Sequence, residues 1–510
     1  MKNFMLLFCL CLAGMSFAQQ TKDNQRLIIL ADMGNEPDEM QQMIHMITCS
    51  NEFDIEGLIA VTGKYLRPGS DHGEYHYVTH PELFQEIIDA YEKDLNNLKL
   101  HASGWPEPDN LRKLVKAGQK DYGIADVKVG NSSPGSELII ETVTKDDPRP
   151  IWIVVNAGSN TLAQALVDYQ SNHTPLEVAQ FVAKLRVFEN GAQDNAGAWI
   201  CSQFPKIHWI RSNYQTYAYG GPGGNDGSLM TNLGPNYWKP YDYSTTGQND
   251  WLKENVMNDH GALGALYPER TFKIWGNGVV GFMEGGGTIP WMGLINKGLF
   301  DINQPSWGGW GGRFSKKKVP DFWSRHSDIK VDEIENAPFY TYREVSDYWV
   351  DPQDNKLYEG NFSPVWRWRE AMYNDQQCRM DWCVKPYDEA NHHPVTTING
   401  DASNTIIQMD VNAGELITLD ATESNDPDGD QLTYNWWIYQ EAGTYAGKVN
   451  IASPDKPSTQ VQIPTGAGGT QIHLILEVKD NNPIASLFDY RRVVINVDEI
   501  VVTNKSVQIR

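Results

Sequence analysis

Positive charge, cysteine and long apolar runs are all scarce in these 510 residues. Against 65 Asp and Glu stand 42 Lys and Arg, a formal net charge of −23. A chain this acidic repels phosphate backbones and anionic lipid surfaces, so nucleic acid is not an expected partner. The six cysteines include no C-x-x-C pair, and the pattern of a structural zinc site is missing. No G-x-S-x-G elbow occurs, which argues against esterase chemistry. The extended apolar run, Phe4 to Gly14, falls short of the roughly 20 residues that span a bilayer. With Lys2 before it and Ser16-Phe17-Ala18 after it, residues 1–18 read as a secretory leader cut after Ala18. The mature protein is expected to be secreted or periplasmic, with no membrane span. In an oxidising compartment Cys378 and Cys383 could pair as a local staple, while Cys49 and Cys201 read as buried thiols.

Hydrophobic patterning divides the chain. From residue 24 to about 390, apolar β-branched runs alternate with amphipathic stretches. Arg26-Leu-Ile-Ile-Leu30, Ile55–Thr62, Ile151–Asn156, Leu185–Glu189 and Ile207–Arg211 predict buried strands. Met40, Met43, Ile44 and Ile47 fall on one face of a helix predicted over Pro37–Ile47, and further helices are predicted over Pro81–Leu95, Asn160–Tyr169 and Trp366–Tyr373. This alternation predicts an α/β fold with a mostly parallel open sheet. The Gly-, Tyr- and Asn-rich stretch Tyr214–Asp250 interrupts it and reads as a long binding loop. After Asn391-His-His-Pro394, short alternating runs at Leu416–Leu419, Leu432–Tyr439, Thr459–Ile463, Ile472–Lys479 and Arg491–Val497 predict a small all-β, Ig-like sandwich over 394–500. Asp426-Pro-Asp-Gly-Asp430 reads as a tight turn rather than an EF-hand, because position 6 is Gln431 and position 12 is Trp437. His72, His76 and His80 recur every four residues but lie between Pro68-Gly69 and Pro81, which favours loop histidines over metal ligands.

Ligands of an open parallel sheet bind beyond the carboxyl ends of its strands. Polar residues gather there: Asp32 to Glu39 after the first strand, Asn156 to Thr161 after the 151–156 strand, and Glu189 to Asn195 after the 185–189 strand. Asp32, Glu36, Asp38 and Glu39 crowd four acids into eight residues, which repel unless a cation or shared protons intervene. Calcium, with about six to eight oxygen ligands, suits such a cluster, and carboxylates beside it can activate water. These features point to a hydrolase. Trp307 and Trp310 in Trp307-Gly-Gly-Trp-Gly-Gly312 could offer indole faces to sugar rings, or could pack.

The segment Leu27-Ile-Ile-Leu-Ala-Asp-Met-Gly-Asn-Glu-Pro-Asp-Glu39 resembles the first strand and aspartate cluster of the nucleoside hydrolase fold. Together with Asn156-Ala-Gly-Ser-Asn-Thr-Leu-Ala163, Gln193-Asp-Asn-Ala-Gly197 and the Trp307–Gly312 motif, it is similar to the nucleoside-hydrolase-like domain of secreted bacterial proteins described as cellulose-binding. The resemblance implies a calcium-dependent hydrolase of N- or O-glycosidic bonds, acting on glycan-derived sugars or a nucleoside-like small molecule. Asp32 and Asp38 would be catalytic, the latter through a sugar hydroxyl. Asp32, Glu39, Thr161 and Glu284 would hold calcium, and Asn160, Asp194, Asn195, Trp307 and Trp310 would contact sugar. Aligned without gaps, the family's D-x-D-x-x-x-D-D places Gly34 at the usual catalytic aspartate; a two-residue insertion makes Asp32 the base instead. The alternative implied by Gly34 and Glu39 is a non-catalytic protein on the same fold that binds carbohydrate, including insoluble polysaccharide.

Overall fold

The computed structural model of the chain describes residues 24–35, 37–69, 78–219, 251–269, 271–274, 278–281, 287–299, 301, 303–318, 340–352 and 355–499. The predicted leader, Glu36, His72, His76, Glu284 and most of the predicted 214–250 loop lie outside them.

The first part follows the expected alternation: β1 (Gln25–Ala31), α1 (Pro37–Thr48), β2 (Phe53–Ala60), α2 (Pro81–His101), α3 (Pro108–Leu114), β3 (Val115–Ala117), α4 (Pro134–Thr144), β4 (Ile151–Val155), α5 (Asn160–Asn172), α6 (Pro175–Lys184), β5 (Leu185–Asn190), α7 (Ala196–Gln203) and β6 (His208–Ser212). A hairpin of β7 (Thr271–Ile274) and β8 (Gly278–Gly281) stands apart from the main sheet, which β9 (Phe314–Lys318) and β10 (Tyr340–Glu344) complete. Its order is β3-β2-β1-β4-β5-β6-β10-β9, parallel throughout except for the antiparallel β9–β10 pair. Leu27–Ala31 of β1 and all of β4 are wholly buried, because helices cover both faces of the sheet. That is why these strands read as unbroken apolar runs rather than as alternations. Pro134 and Pro175 open α4 and α6 behind serine and threonine capping boxes, so the crossover helices start where their sequences say.

A second hairpin, β11 (Asp347–Val350) with β12 (Leu357–Gly360), precedes α8 (Arg369–Asp381). The predicted Trp366–Tyr373 helix is instead a short turn of helix, Ser363–Trp366, followed by α8. Cys378 and Cys383 are free thiols, as are Cys49 and Cys201. Cys378 lies within α8 and Cys383 just past its end. Five residues of helix turn by about 140° beyond a full circle, so the two thiols face different neighbours: Cys378 reaches the Ala485 carbonyl and Cys383 that of Arg379.

The C-terminal part is a sandwich of two sheets. One has the order β13-β19-β18-β15 and the other β14-β17-β16, with β13 (Ile407–Val411), β14 (Leu416–Asp420), β15 (Thr433–Ile438), β16 (Asn450–Ile451), β17 (Ser458–Gln462), β18 (Gln471–Lys479) and β19 (Phe488–Val497). β13 was absent from the sequence reading and pairs in parallel with β19. The Asp426–Asp430 segment is a turn whose Asp426 carboxylate accepts from the Asp428 and Asp430 amides. Tyr439, Ile475, Phe488 and Tyr490 of the sandwich belong to the same apolar cluster as Trp291, Trp310 and Trp368 of the α/β part. The seam is also bonded, since Arg492 on β19 donates to the carbonyls of Leu299 and Gly308.

Candidate functional site

In the order 3-2-1-4-5-6, successive connections reverse direction between β1 and β4, which marks the crevice where such sheets take ligands. Asp32 stands at the end of β1, fully buried. The chain then turns through Gly34, whose φ of 91° suits glycine, and the Asn35 amide closes the turn on the Asp32 carbonyl. Beyond β2 comes Gly63. A Cβ on it would lie 2.9 Å from Asp32 Oδ2 and 3.0 Å from Gln193 Oε1, so glycine lets the loops after β1, β2 and β5 close on one another.

Three side-chain amides complete this end of the sheet, and each spends its nitrogen on a definite acceptor. Asn156 Nδ2 donates to Gln42 Oε1 on α1 (2.8 Å), Gln193 Nε2 to the Asn156 carbonyl (3.2 Å), and Asn160 Nδ2 to the Asp121 carbonyl (2.8 Å). Those bonds fix which way each amide faces. Asn156 Oδ1, Asn160 Oδ1 and Gln193 Oε1 then remain buried without a donor among the described residues. With the Asp32 carboxylate they make a set composed of acceptors. Its complement is a ligand rich in hydroxyl donors, or a hard cation.

The other predicted residues are placed differently. Asp194 is a local staple: it accepts from the Ser159 hydroxyl and the Ala196 amide on Oδ1 and from the Asn160 amide on Oδ2. It thereby fixes the starts of α5 and α7. Burial pushes its carboxyl above the usual range, and these hydrogen bonds pull it back. Thr161 lies in the first turn of α5, where its hydroxyl accepts from the Gln119 amide. Asn195 Oδ1 accepts from the Ile124 amide and ties down the loop after β3. Asp38 and Glu39 are buried in the first turn of α1, the helix that carries Gln42. Trp307 and Trp310 pack where the α/β part meets the sandwich. Both are buried at the seam, Trp307 edge-on to His473 and Trp310 beneath the Lys297 ammonium. Glu189 is neutralised internally, accepting from Arg211 Nε and Trp209 Nε1.

Among the described residues, the one grouping of three His, Cys, Asp or Glu ligand atoms within 4.8 Å of one another is His45, Cys49 and Asp375. Asp32, Asp38 and Glu39 do not form such a group. The His45 cluster is poor for a metal: Asp375 already pairs with Arg379 (2.8 Å) and His393 (2.6 Å). Burial also holds the Cys49 thiol protonated, its pKa pushed up to about 12, and lowers that of His45 to about 3.

Gln42 and the donor-less oxygen of Gln193 were invisible to sequence reasoning. Gln193 lay in a noted motif, but its role depends on which way its amide faces, and nothing in the spacing of Gln42 marks it.

The family model described as cellulose-binding Sde182, nucleoside hydrolase-like domain, matches residues 26–314, and that of the cellulose-binding protein Sde0182 C-terminal domain matches residues 416–497. Among solved structures, the chain is similar to a nucleoside hydrolase-related hypothetical protein from Saccharophagus degradans, described as associated with carbohydrate metabolism. The two are 35% identical with a TM-score of 0.76, over 93% of this chain and 100% of the other. The type III effector XopQ, solved with adenosine diphosphate ribose, is 12% identical with a TM-score of 0.26, over 53% of this chain and 81% of its own, too slight a likeness to bear on function. No curated protein matches.

Proposed function

The chain belongs to the family of the cellulose-binding Sde182 nucleoside-hydrolase-like domain, and on that premise we propose that it is an exported carbohydrate-binding protein that takes sugar hydroxyls at the carboxyl ends of β1, β4 and β5. The observation that carries this reading is the acceptor-only set of Asn156 Oδ1, Asn160 Oδ1 and Gln193 Oε1 beside Asp32. A buried acceptor left unmatched costs about 1–3 kcal/mol, so each of these oxygens rewards a hydroxyl donor and penalises a deoxy analogue. Neighbouring hydroxyls on a pyranose or furanose ring are donors of the kind these oxygens lack. Asp32 contributes charge, which strengthens the bonds it accepts. Asp194 holds the first turn of α5, and with it Asn160, in register. Calorimetry with oligosaccharides tests this: Asp32→Asn, which keeps the side chain's shape, is expected to weaken binding at least tenfold at unchanged melting temperature. Equal affinity in the variant would overturn the reading.

Hydrolysis is the second reading. It is favoured by the burial of Asp32 at the end of the first strand, where the resemblance puts an acid able to deprotonate water. If calcium takes part, the oxygens of Asp32 and its neighbouring amides are the donors present, and the ion would supply a polarised water. Mass-spectrometric product analysis separates the readings. Sugar released from glycans or nucleosides, and abolished both by chelator and by Asp32→Ala, supports the hydrolase. Binding indifferent to chelator, with no product, supports the binder.

A further inference from the structure

The geometry points to a second glycan site: the cleft between the β11–β12 hairpin, α8 and the β15-β18-β19 face of the sandwich binds an uncharged pyranose chain. This rests on the carbohydrate reading for its ligand class alone, because it shares no residue with the strand ends.

The cleft encloses about 660 Å³, within the roughly 300–1,000 Å³ of small-molecule sites. Its walls come from both parts of the chain. Trp349 on the hairpin and Trp437 on β15 line it, both half-buried, unlike the core tryptophans Trp152, Trp291 and Trp368. Tyr348, 58% exposed, extends the hairpin wall to the surface. Indole faces held apart by rigid strands suit the C–H faces of sugar rings, which are apolar where their rims are polar. The polar groups are suited to those rims. Asn435 and Gln440 are exposed along the sandwich wall. Arg367 stacks on Tyr439 and Trp437 and pairs with Asp347, yet its Nε has no acceptor among the described residues although its side chain is only 7% exposed.

Charge then selects among glycans. Asp351, Glu370, Glu441 and Glu477 line the cleft, with Arg367 as the one cation among the lining residues and Lys479 paired to Glu370 beside it (2.7 Å). That balance repels sulfated and uronic chains. The hairpin is fixed in place for the purpose, since the Tyr348 amide donates to Glu441 Oε1 across the cleft's edge (2.9 Å).

The test uses the full mature chain, by calorimetry and affinity electrophoresis against cellohexaose and xylohexaose (neutral), oligogalacturonate (anionic) and a glucosamine hexamer (cationic). Neutral hexamers are expected to bind, at least tenfold more weakly to Trp437→Ala and several-fold more weakly to Asn435→Ala, with binding retained in part by Asp32→Asn. Trp437 also packs on Trp368, so Asn435→Ala, at an exposed strand position, provides the variant that folds. Wild-type affinity in both cleft variants would overturn the proposal, as would preference for the anionic or cationic hexamer. Loss in Asp32→Asn alone overturns the cleft and leaves the strand-end site standing; loss in the cleft variants alone does the reverse.

Discussion

Tyr439, just past the end of β15, donates its hydroxyl to Asp347 Oδ2 at 2.6 Å, across the seam between the sandwich and the α/β part. The same fully buried carboxylate takes Arg313 Nε at 2.7 Å and Arg367 Nη2 at 3.1 Å. Three donors from three elements thus meet on one acid. Removing Tyr439's hydroxyl (Tyr439→Phe) is expected to cost about 1.5–3 kcal/mol, as a bond to a charged acceptor does. Asp347→Ala leaves two guanidinium groups without their counter-ion and is expected to cost more, about 3–5 kcal/mol. Urea denaturation of both variants checks the order.

Glu477 on β18 lies beside Glu370, with burial and that like charge raising its pKa to about 7, while a hydrogen bond from Asn435 and the charge of Lys479 oppose the shift. The folded protein holds this proton more tightly than the unfolded chain does. The resulting stability is therefore complete below about pH 4.5 and lost as pH rises through 7. Glu477→Gln is expected to remove that slope and to stabilise the protein at pH 8 by about 1–3 kcal/mol relative to wild type. Chemical denaturation at pH 5 and pH 8 measures the difference.

Gly63→Ala places a methyl group 2.9 Å from Asp32 Oδ2 and 3.0 Å from Gln193 Oε1. Overpacking of this kind costs about 1–3 kcal/mol. The displaced acceptors are expected to lower sugar affinity more than tenfold, by calorimetry, while cleft binding persists.

Asp194→Ala removes three hydrogen bonds at the starts of two helices. With caps worth about 0.5–2 kcal/mol each, a loss of about 2–4 kcal/mol is expected. Hydrogen exchange is expected to quicken first in α5 and α7. Asp194→Asn, which retains an acceptor oxygen, is expected to recover part of that loss.

The sheet was legible because its central strands are buried on both faces, so Leu27–Leu30 and Ile151–Val155 could hardly be anything else. β13 was missed although Ile407-Gln-Met-Asp-Val411 alternates apolar and polar, because the run is only five residues long and its parallel partner β19 follows some 80 residues later. Asp32 and Asn160 were singled out from their place after strands, and the structure puts both at the carboxyl end of the sheet. The role of Asp194 was not legible, because a carboxylate that caps helices and one that grips a sugar look alike in sequence. Trp307 and Trp310, together in one motif, are buried at the seam, whereas Trp349 and Trp437, separated by nearly 90 residues, come to line one cleft only through the fold.

The seam has a consequence for long ligands. Because Arg492 bonds Leu299 and Gly308, and Tyr439 bonds Asp347, the two parts of the chain cannot swing on a hinge without breaking buried polar contacts. The separation between the strand ends and the cleft is then a fixed span. Were both proposed sites occupied, a polymer engaging one would present its next segments to the other at high effective concentration, but only where its repeat matches that span. Avidity would rise sharply at one degree of polymerisation rather than gradually with length, making the molecule a gauge of chain length as well as of sugar chemistry.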